Sequence, residues 1–110
     1  MLSKCCYFEF IFSRFAKVHK DHIMNMPQGM SFETAAAIPE AWVTAYQLMF
    51  KVAKIQQDET ALIMAGASGV GTVLIQMCKY VGAHSIAVCS SWEKLERCKQ
   101  LGSFDGINHK

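Results

Sequence analysis

The stretch Thr60-Ala61-Leu62-Ile63-Met64-Ala65-Gly66-Ala67-Ser68-Gly69-Val70-Gly71-Thr72-Val73-Leu74-Ile75-Gln76 constrains this chain more than any other. Thr60 to Ala65 is a short apolar run without charge, the pattern of a strand buried on both faces. Gly66, Ser68, Gly69 and Gly71 then leave almost no side-chain bulk, and a helix is expected from about Val70. The first N–H groups of a helix have no partner inside it. A small-residue turn that feeds a helix start therefore aims free donors and the positive end of the helix dipole at one spot, which is a ready anion site.

The spacing Gly66-x-Ser68-Gly69-x-Gly71 departs from the dinucleotide fingerprint G-x-G-x-x-G by a serine at the middle glycine. Serine is small enough for close backbone approach, and its hydroxyl can donate to a phosphate. A glycine turn in any α/β protein would read the same way. The fingerprint additionally requires a strand before the turn and a helix after it, and both are expected here.

With 110 residues, the chain is one small domain or part of a larger one. At 52% hydrophobic and 18% charged residues it is globular rather than disordered. A net charge of +2 without a basic block gives nucleic-acid binding no electrostatic support. The five cysteines, Cys5, Cys6, Cys78, Cys89 and Cys98, form no CxxC pair and no Cys/His cluster with zinc spacing, so no metal is expected. Free thiols in a reducing cytosol account for an odd set, with Cys78, Cys89 and Cys98 as small core residues. No run reaches the ~18 apolar residues of a membrane span. The start loosely imitates a signal peptide, but Glu9 interrupts its apolar region and no small-residue cleavage site follows, so a cytoplasmic location is expected.

Residues 1–14 are aromatic-rich, and the alternation of Phe8, Phe10 and Phe12 suits a strand. Phe15 to His19 is a candidate second strand, Lys20-Asp21-His22 a turn, and Ile23 to Met26 an extended segment closed by Pro27 and Gly29. Ser31 caps a short expected helix, Phe32 to Ala37. Ile38 precedes a proline and is pushed out of helical geometry, and Pro39 suits the first position of the next helix, expected to run to about Ala53. Trp42, Ala45, Tyr46, Met49, Phe50 and Ala53 form its apolar stripe. After the glycine turn a helix runs to about Val81 with Gly82 beyond its end, then a strand over Ser85 to Cys89. Ser91 caps a helix over Trp92 to Leu101, Gly102 ends it, and a strand is expected over Asp105 to Asn108.

Strand, helix, strand, helix, strand is one mononucleotide-binding half of a doubly wound parallel sheet. Such a sheet needs cover on both faces and further strands. An incomplete one exposes apolar rows and an open edge, which favours homo- or hetero-oligomers through the sheet. NAD-binding members of this fold usually place an acid at the end of the second strand, where it holds the ribose hydroxyls. Here that window reads Cys89-Ser90-Ser91-Trp92. With no carboxylate to repel it a 2′-phosphate fits, with Ser90 and Ser91 as donors and Lys94, with Arg97 behind it, as positive charge. NADP(H) is therefore the expected cofactor. Ser91 as a plain helix cap and Lys94 as a solvated surface charge is the competing reading, and the two are compatible.

The runs Ala35-Ala36-Ala37-Ile38-Pro39-Glu40-Ala41-Trp42-Val43-Thr44-Ala45-Tyr46 and Ala65-Gly66-Ala67-Ser68-Gly69-Val70-Gly71 closely resemble the zinc-independent, zeta-crystallin-like quinone oxidoreductases of the medium-chain dehydrogenase/reductase superfamily, including the p53-inducible type. The resemblance covers about Phe15 to Lys110 and implies a truncated member. Residues 1–14 would be a divergent segment, 15–57 the end of a GroES-like domain with its linking helix, and 58–110 the first half of the NADP(H)-binding Rossmann domain. It implies NADPH-dependent reduction of quinones or related electrophilic carbonyls. Gly66, Ala67, Ser68, Gly69, Val70 and Gly71 would hold the pyrophosphate, and Thr44 would sit by the nicotinamide ribose. Ser90, Ser91 and Lys94 would surround the 2′-phosphate, and His109 stands where the family usually has a tyrosine. Most of the GroES-like substrate domain and the later strands have no counterpart here, so catalytic residues are not assigned. A non-catalytic nucleotide-binding or interaction module, or an inactive product, is the competing reading.

Overall fold

The computed structural model describes residues 17–110. The expected strand through Phe8, Phe10 and Phe12, together with Cys5 and Cys6, lies outside the described residues, as do Phe15 and Ala16. The chain divides into two compact units, Met1–Met30 and Ser31–Lys110. In the described part of the first, residues 17–19 form no strand, and Lys20–His22 make a single 3-10 turn whose start is held by the Asp21 N–H donating to His19 Nδ1 at 3.4 Å.

The second unit begins with α1, Phe32–Ala36, capped as expected by Ser31, whose Oγ accepts from the Thr34 N–H at 3.2 Å. The next helix differs from expectation at both ends. It starts not at Pro39 but at Ala41, as α2, Ala41–Tyr46. Glu40 takes φ 65° and ψ −67°, and the Ala41 N–H donates to the Pro39 carbonyl at 2.9 Å, a γ-turn of the rare positive-φ kind that a helix cannot run through. From Gln47 to Ala53 the backbone widens into a π-helix, closed by Lys54 in the left-handed region. The wider turn takes the last stripe residue out of register. Ala45 and Met49 are buried and Trp42 and Phe50 half-buried, while Ala53 faces solvent and Tyr46, at the end of α2, is 48% exposed with its ring against Phe50.

The remaining elements follow the expected order: β1 (Thr60–Met64), α3 (Gly69–Val81), β2 (His84–Cys89), α4 (Trp92–Leu101) and β3 (Asp105–Asn108). The strands form one parallel sheet in the order β1-β2-β3. Both helices pack on one face of it. Paired residues of a parallel sheet share a face, so the register places Ile63 and Ala87 on one side and Leu62 and Met64 with their partners Ile86 and Val88 on the other. Ile63, Ala87 and Cys89 are buried under α3 and α4 with Leu95 and Cys98. α3 also packs against α2, which explains why Ile75, off the expected stripe, is fully buried.

β1 is therefore not buried on both faces. Leu62 is 59% and Met64 68% exposed, and Ile107 of β3 is 49% exposed. The apolar run has the capacity for two-sided burial, but no element among the described residues covers this face. A groove of about 290 Å³ also runs beside β1, walled by Leu48, Met49 and Ile55 as well as by the strand. No helix among the described residues is long and apolar enough to cross a membrane.

Two serines in the core behave oppositely. Ser85 Oγ is buried without a hydrogen-bond partner. Ser103 Oγ lies 3.0 Å from the Ser85 carbonyl and 2.8 Å from that of Asp105 and ties the start of β3 to β2. Ser85→Ala removes an orphaned polar group and is expected to leave stability unchanged or raise it by up to ~1 kcal/mol. Ser103→Ala removes this hydroxyl tie, although the Ser85 carbonyl keeps the Phe104 N–H at 2.8 Å, and is expected to lower it by ~1 kcal/mol. Urea unfolding of the two variants beside the parent chain checks both signs.

Candidate functional site

The turn after β1 is built by close backbone contacts. The Gly66 N–H donates to the Val88 carbonyl at 3.0 Å, which extends the β1–β2 pairing past the end of the strand. Ala65 turns the chain at φ 52°, and the Ser68 N–H closes the turn on the Ala65 carbonyl at 2.8 Å. A Cβ at Gly66 would come within 2.7 Å of the Ala87 Cβ, and one at Gly71 within 2.5 Å of the Ala65 oxygen and 2.7 Å of the Gly66 oxygen. These two glycines let α3 start directly on top of the turn. Gly69 is different, because a Cβ there would meet nothing within 4 Å. It is the first residue of α3, and its open side is space that a ligand can occupy.

Ser68 is the N-cap of α3, one residue earlier than the expected helix start implies. Its Oγ accepts from the Gly71 N–H at 3.1 Å. That bond uses an oxygen lone pair and leaves the hydroxyl proton free to donate elsewhere. The N–H groups of the first turn, at Gly69 and Val70, have no carbonyl one turn back to bind. Ser91 caps α4 in the same way, accepting from the Lys94 N–H at 3.4 Å. The Lys94 ammonium donates to Ser90 Oγ at 3.2 Å, which holds the charge against the end of β2. The His109 N–H donates to the Cys89 carbonyl at 3.0 Å and fixes His109 beside the same strand end.

These groups surround one cavity of about 430 Å³ at the carboxyl ends of β1 and β2. Of the residues expected to bind cofactor, Ala67, Ser68, Ser90, Lys94 and His109 line it. Gly66 lies behind its wall against Ala87, while Gly69, Val70 and Gly71 form the first turn of α3, and Ser91 the cap of α4. Thr44 is half-buried on α2 and is not part of the lining. The lining also includes Met64, Ala65, Val88 and Cys89, to which the sequence reading gave no role in the site. The rule that open α/β sheets bind ligands beyond the carboxyl ends of their strands would have found them. No lining residue is acidic. Two helix starts and one ammonium therefore stand at the cavity, and the one acid in the first turn of α4, Glu93, is not among its lining residues, a setting for a phosphorylated ligand. Among the described residues no group of three or more His, Cys, Asp or Glu side chains is placed to hold a metal.

No family profile matches the chain. It is 36% identical over 89 residues to a highly reducing polyketide synthase of Talaromyces stipitatus, a match that covers 81% of this chain and 4% of that protein. It is 34% identical over 93 residues to a synaptic vesicle membrane protein VAT-1 homolog of Danio rerio, covering 84% of this chain and 19% of the other. Among solved structures, a quinone oxidoreductase of Escherichia coli in complex with NADPH superposes with a TM-score of 0.74 at 34% identity, over 76% of this chain and 26% of that one. The chain thus spans about a quarter of that structure and a smaller share of the curated relatives.

The glycine contacts yield a paired expectation. Gly71→Ala forces a methyl group against two carbonyl oxygens and is expected to cost ~1–3 kcal/mol. Gly69→Ala enters open space at a helical position and is expected to be neutral or mildly stabilising, by ~0.4–1 kcal/mol. Thermal unfolding of the two variants distinguishes them.

Proposed function

We propose that this chain, a partial member of the medium-chain dehydrogenase/reductase superfamily similar in fold and sequence to NADPH-binding quinone oxidoreductases, is an NADP(H)-binding unit of a zinc-independent oxidoreductase acting on quinones or related electrophilic carbonyls. One observation carries the reading: Ser68, Ser90 and Lys94 meet at a cavity fed by the starts of α3 and α4 and lined by no acid. The donor set fits the group. Amides, hydroxyls and an ammonium suit phosphates, the open side of Gly69 admits a ligand, and the volume is that of a small-molecule site. When bound, the cofactor supplies the hydride, and the protein supplies orientation and electrostatics.

In this reading the first turn of α3, with Ala67 and the Ser68 hydroxyl, receives the pyrophosphate. Ser90, Ser91 and Lys94 take the 2′-phosphate, whose recognition by charge and hydroxyls separates NADPH from NADH. His109 borders that phosphate, and an imidazole there adds charge only when protonated. Thr44 is assigned to the nicotinamide ribose, beyond the cavity lining. The segment before β1, 15–57, is assigned to the end of a GroES-like domain and a linking helix. Cys78, Cys89 and Cys98 as free thiols fit a reducing compartment, the cytoplasm.

A second reading, a non-catalytic interaction module, is favoured by β1. Its outer edge is unpaired among the described residues, and its exposed Leu62 and Met64 border the apolar groove. An open edge of this kind pairs with another chain. Concentration-dependent association in sedimentation that Leu62→Lys abolishes would support it, and a monomer at all concentrations would count against it.

The decisive test is titration with NADPH and NADH, followed by quenching of Trp42 and Trp92. Trp92 opens α4 beside Ser91 and is 73% exposed, which makes it a suitable reporter. NADPH is expected to saturate and to outcompete NADH. Lys94→Ala is expected to weaken NADPH about tenfold and leave NADH within about twofold. Gly69→Asp, which meets no steric obstacle, puts a carboxylate at the start of α3 and is expected to abolish binding while unfolding stays cooperative. No saturable binding by the folded parent chain would refute the proposal.

A further inference from the structure

Cys89 ends β2, and Cys98 lies nine residues later in α4. Their sulfurs stand 3.7 Å apart in mutual hydrogen-bonding contact, with exposures of 3% and 1%. The two thiols differ in surroundings. Cys89 belongs to the lining of the cavity, beside Ser90 and Lys94. Cys98 lies behind it, with its Sγ 3.5 Å from where a Cβ on Gly66 would be. The pair thus joins strand and helix at the back wall of the cavity, directly under the glycine turn. Cys78, on α3, is shifted by burial alone.

We propose that Cys89 and Cys98 form a peroxide-sensitive dithiol that closes to a disulfide and so weakens ligand binding in the cavity. The Cys89 sulfur attacks one oxygen of hydrogen peroxide, the O–O bond breaks, and a sulfenic acid and one water result. The Cys98 sulfur then attacks the Cys89 sulfur, the S–O bond breaks, and the departing hydroxide leaves as water with the Cys98 proton. Two thiols lose two electrons and two protons, and one peroxide becomes two waters.

The geometry ties this step to the site. A disulfide requires a sulfur separation of about 2.05 Å, so the gap must close by well over an ångström. The two sulfurs are carried by different elements, and closure draws α4 against β2. Ser90, Ser91 and Lys94 lie between the two cysteines in sequence and move with that segment, so the donors at its rim lose their alignment. Burial, and then the neighbouring Cys89, push the Cys98 thiol up to about 11. It is protonated at neutral pH and its thiolate fraction rises about tenfold per pH unit below that value, so closure is slow at pH 7 and accelerates with alkalinity.

The test uses the full chain with Cys5→Ser and Cys6→Ser, which leaves Cys78 as the remaining reference thiol. After hydrogen peroxide, a mass loss of about 2 Da is expected. A peptide containing Cys89 should be linked to one containing Cys98, with Cys78 unlinked and the bond reversed by dithiothreitol. In Cys98→Ser, Cys89 should be trapped as a sulfenic acid that reacts with dimedone. Thiols that stay reduced, separate sulfinic acids without a link, or a link through Cys78 would overturn the proposal. The effect on binding rests on the dinucleotide reading, and NADPH titration of the reduced and oxidised chains separates the two. At least about fivefold weaker binding after oxidation is expected. Equal affinity overturns the regulatory step. Absence of binding in the reduced chain refutes the cofactor reading and leaves the mass result to decide the disulfide by itself.

Discussion

The rest of the structure depends on the approach of α3 to the turn that precedes it. At Gly71 there is no room for a single methyl group, because two carbonyl oxygens already occupy its place. That contact makes the helix begin immediately after the strand, with its free amides over the end of the sheet. Gly66 makes the corresponding contact sideways, against Ala87 in the central strand. The two glycines thereby fix strand, turn, helix and neighbouring strand as one unit. Ser68 completes it by satisfying the one first-turn amide, that of Gly71, which faces back into the turn. Glycine is needed at 66 and 71 for packing, whereas at 69 it keeps open the side on which a ligand would approach.

The same crossovers that build this unit make the sheet asymmetric. Both helices lie on one face, so Ile63, Ala87 and Cys89 are sealed while Leu62, Met64 and Ile107 remain open. Val88 stays 5% exposed on the open face because it occupies the central strand, flanked in register by Met64 and Ile107. α2 packs against α3 and adds Ala45 to the same core, with Met49 from the π-helical turns, but it leaves the open face uncovered. The hydrophobic load of the chain is therefore larger than the described elements bury. That imbalance is a property of half a doubly wound sheet, in which the second half normally supplies the missing cover.

What the sequence made legible follows from chemistry with fixed positions. α4 runs from Trp92 to Leu101 as expected because Ser91 offers a cap at one end and Gly102 a left-handed exit at the other. The end of α3 is legible for the same reason, through Gly82, whereas its Ser68 cap was hidden inside the glycine turn. α2 was not legible, since nothing in Pro39-Glu40 marks Glu40 for a positive φ, a conformation that costs a non-glycine residue ~1–3 kcal/mol and must be held by its surroundings. The π-helical stretch was equally hidden, because Met49 and Phe50 fit an ordinary helical stripe and only the carbonyl of Met49, which accepts from both Lys54 and Ile55, reveals the wider turn. Two-sided burial of β1 was misread because an apolar run states what a strand can bury, not what is present to cover it. At the site, the polar lining at Ser68, Ser90, Lys94 and His109 was legible. Met64, Val88 and Cys89 were not, since apolar residues become lining only through their place at a strand end.

The cavity's electrostatics follow from this arrangement. Each helix start contributes roughly half a positive charge, and α3 and α4 begin at adjacent strand ends because a parallel sheet puts both there. The Ser68 and Ser91 caps each consume one third-position amide and leave the earlier ones unpaired. Lys94 adds a full charge on the α4 side, held near the sheet by Ser90 rather than extended into solvent. A carboxylate after β2 would have cancelled part of this field and competed for Lys94, and that position is occupied by serine. The polarity of the site is thus set by backbone direction and by one residue choice at the end of β2, with the glycine contacts at 66 and 71 holding the first of the two helix starts in place.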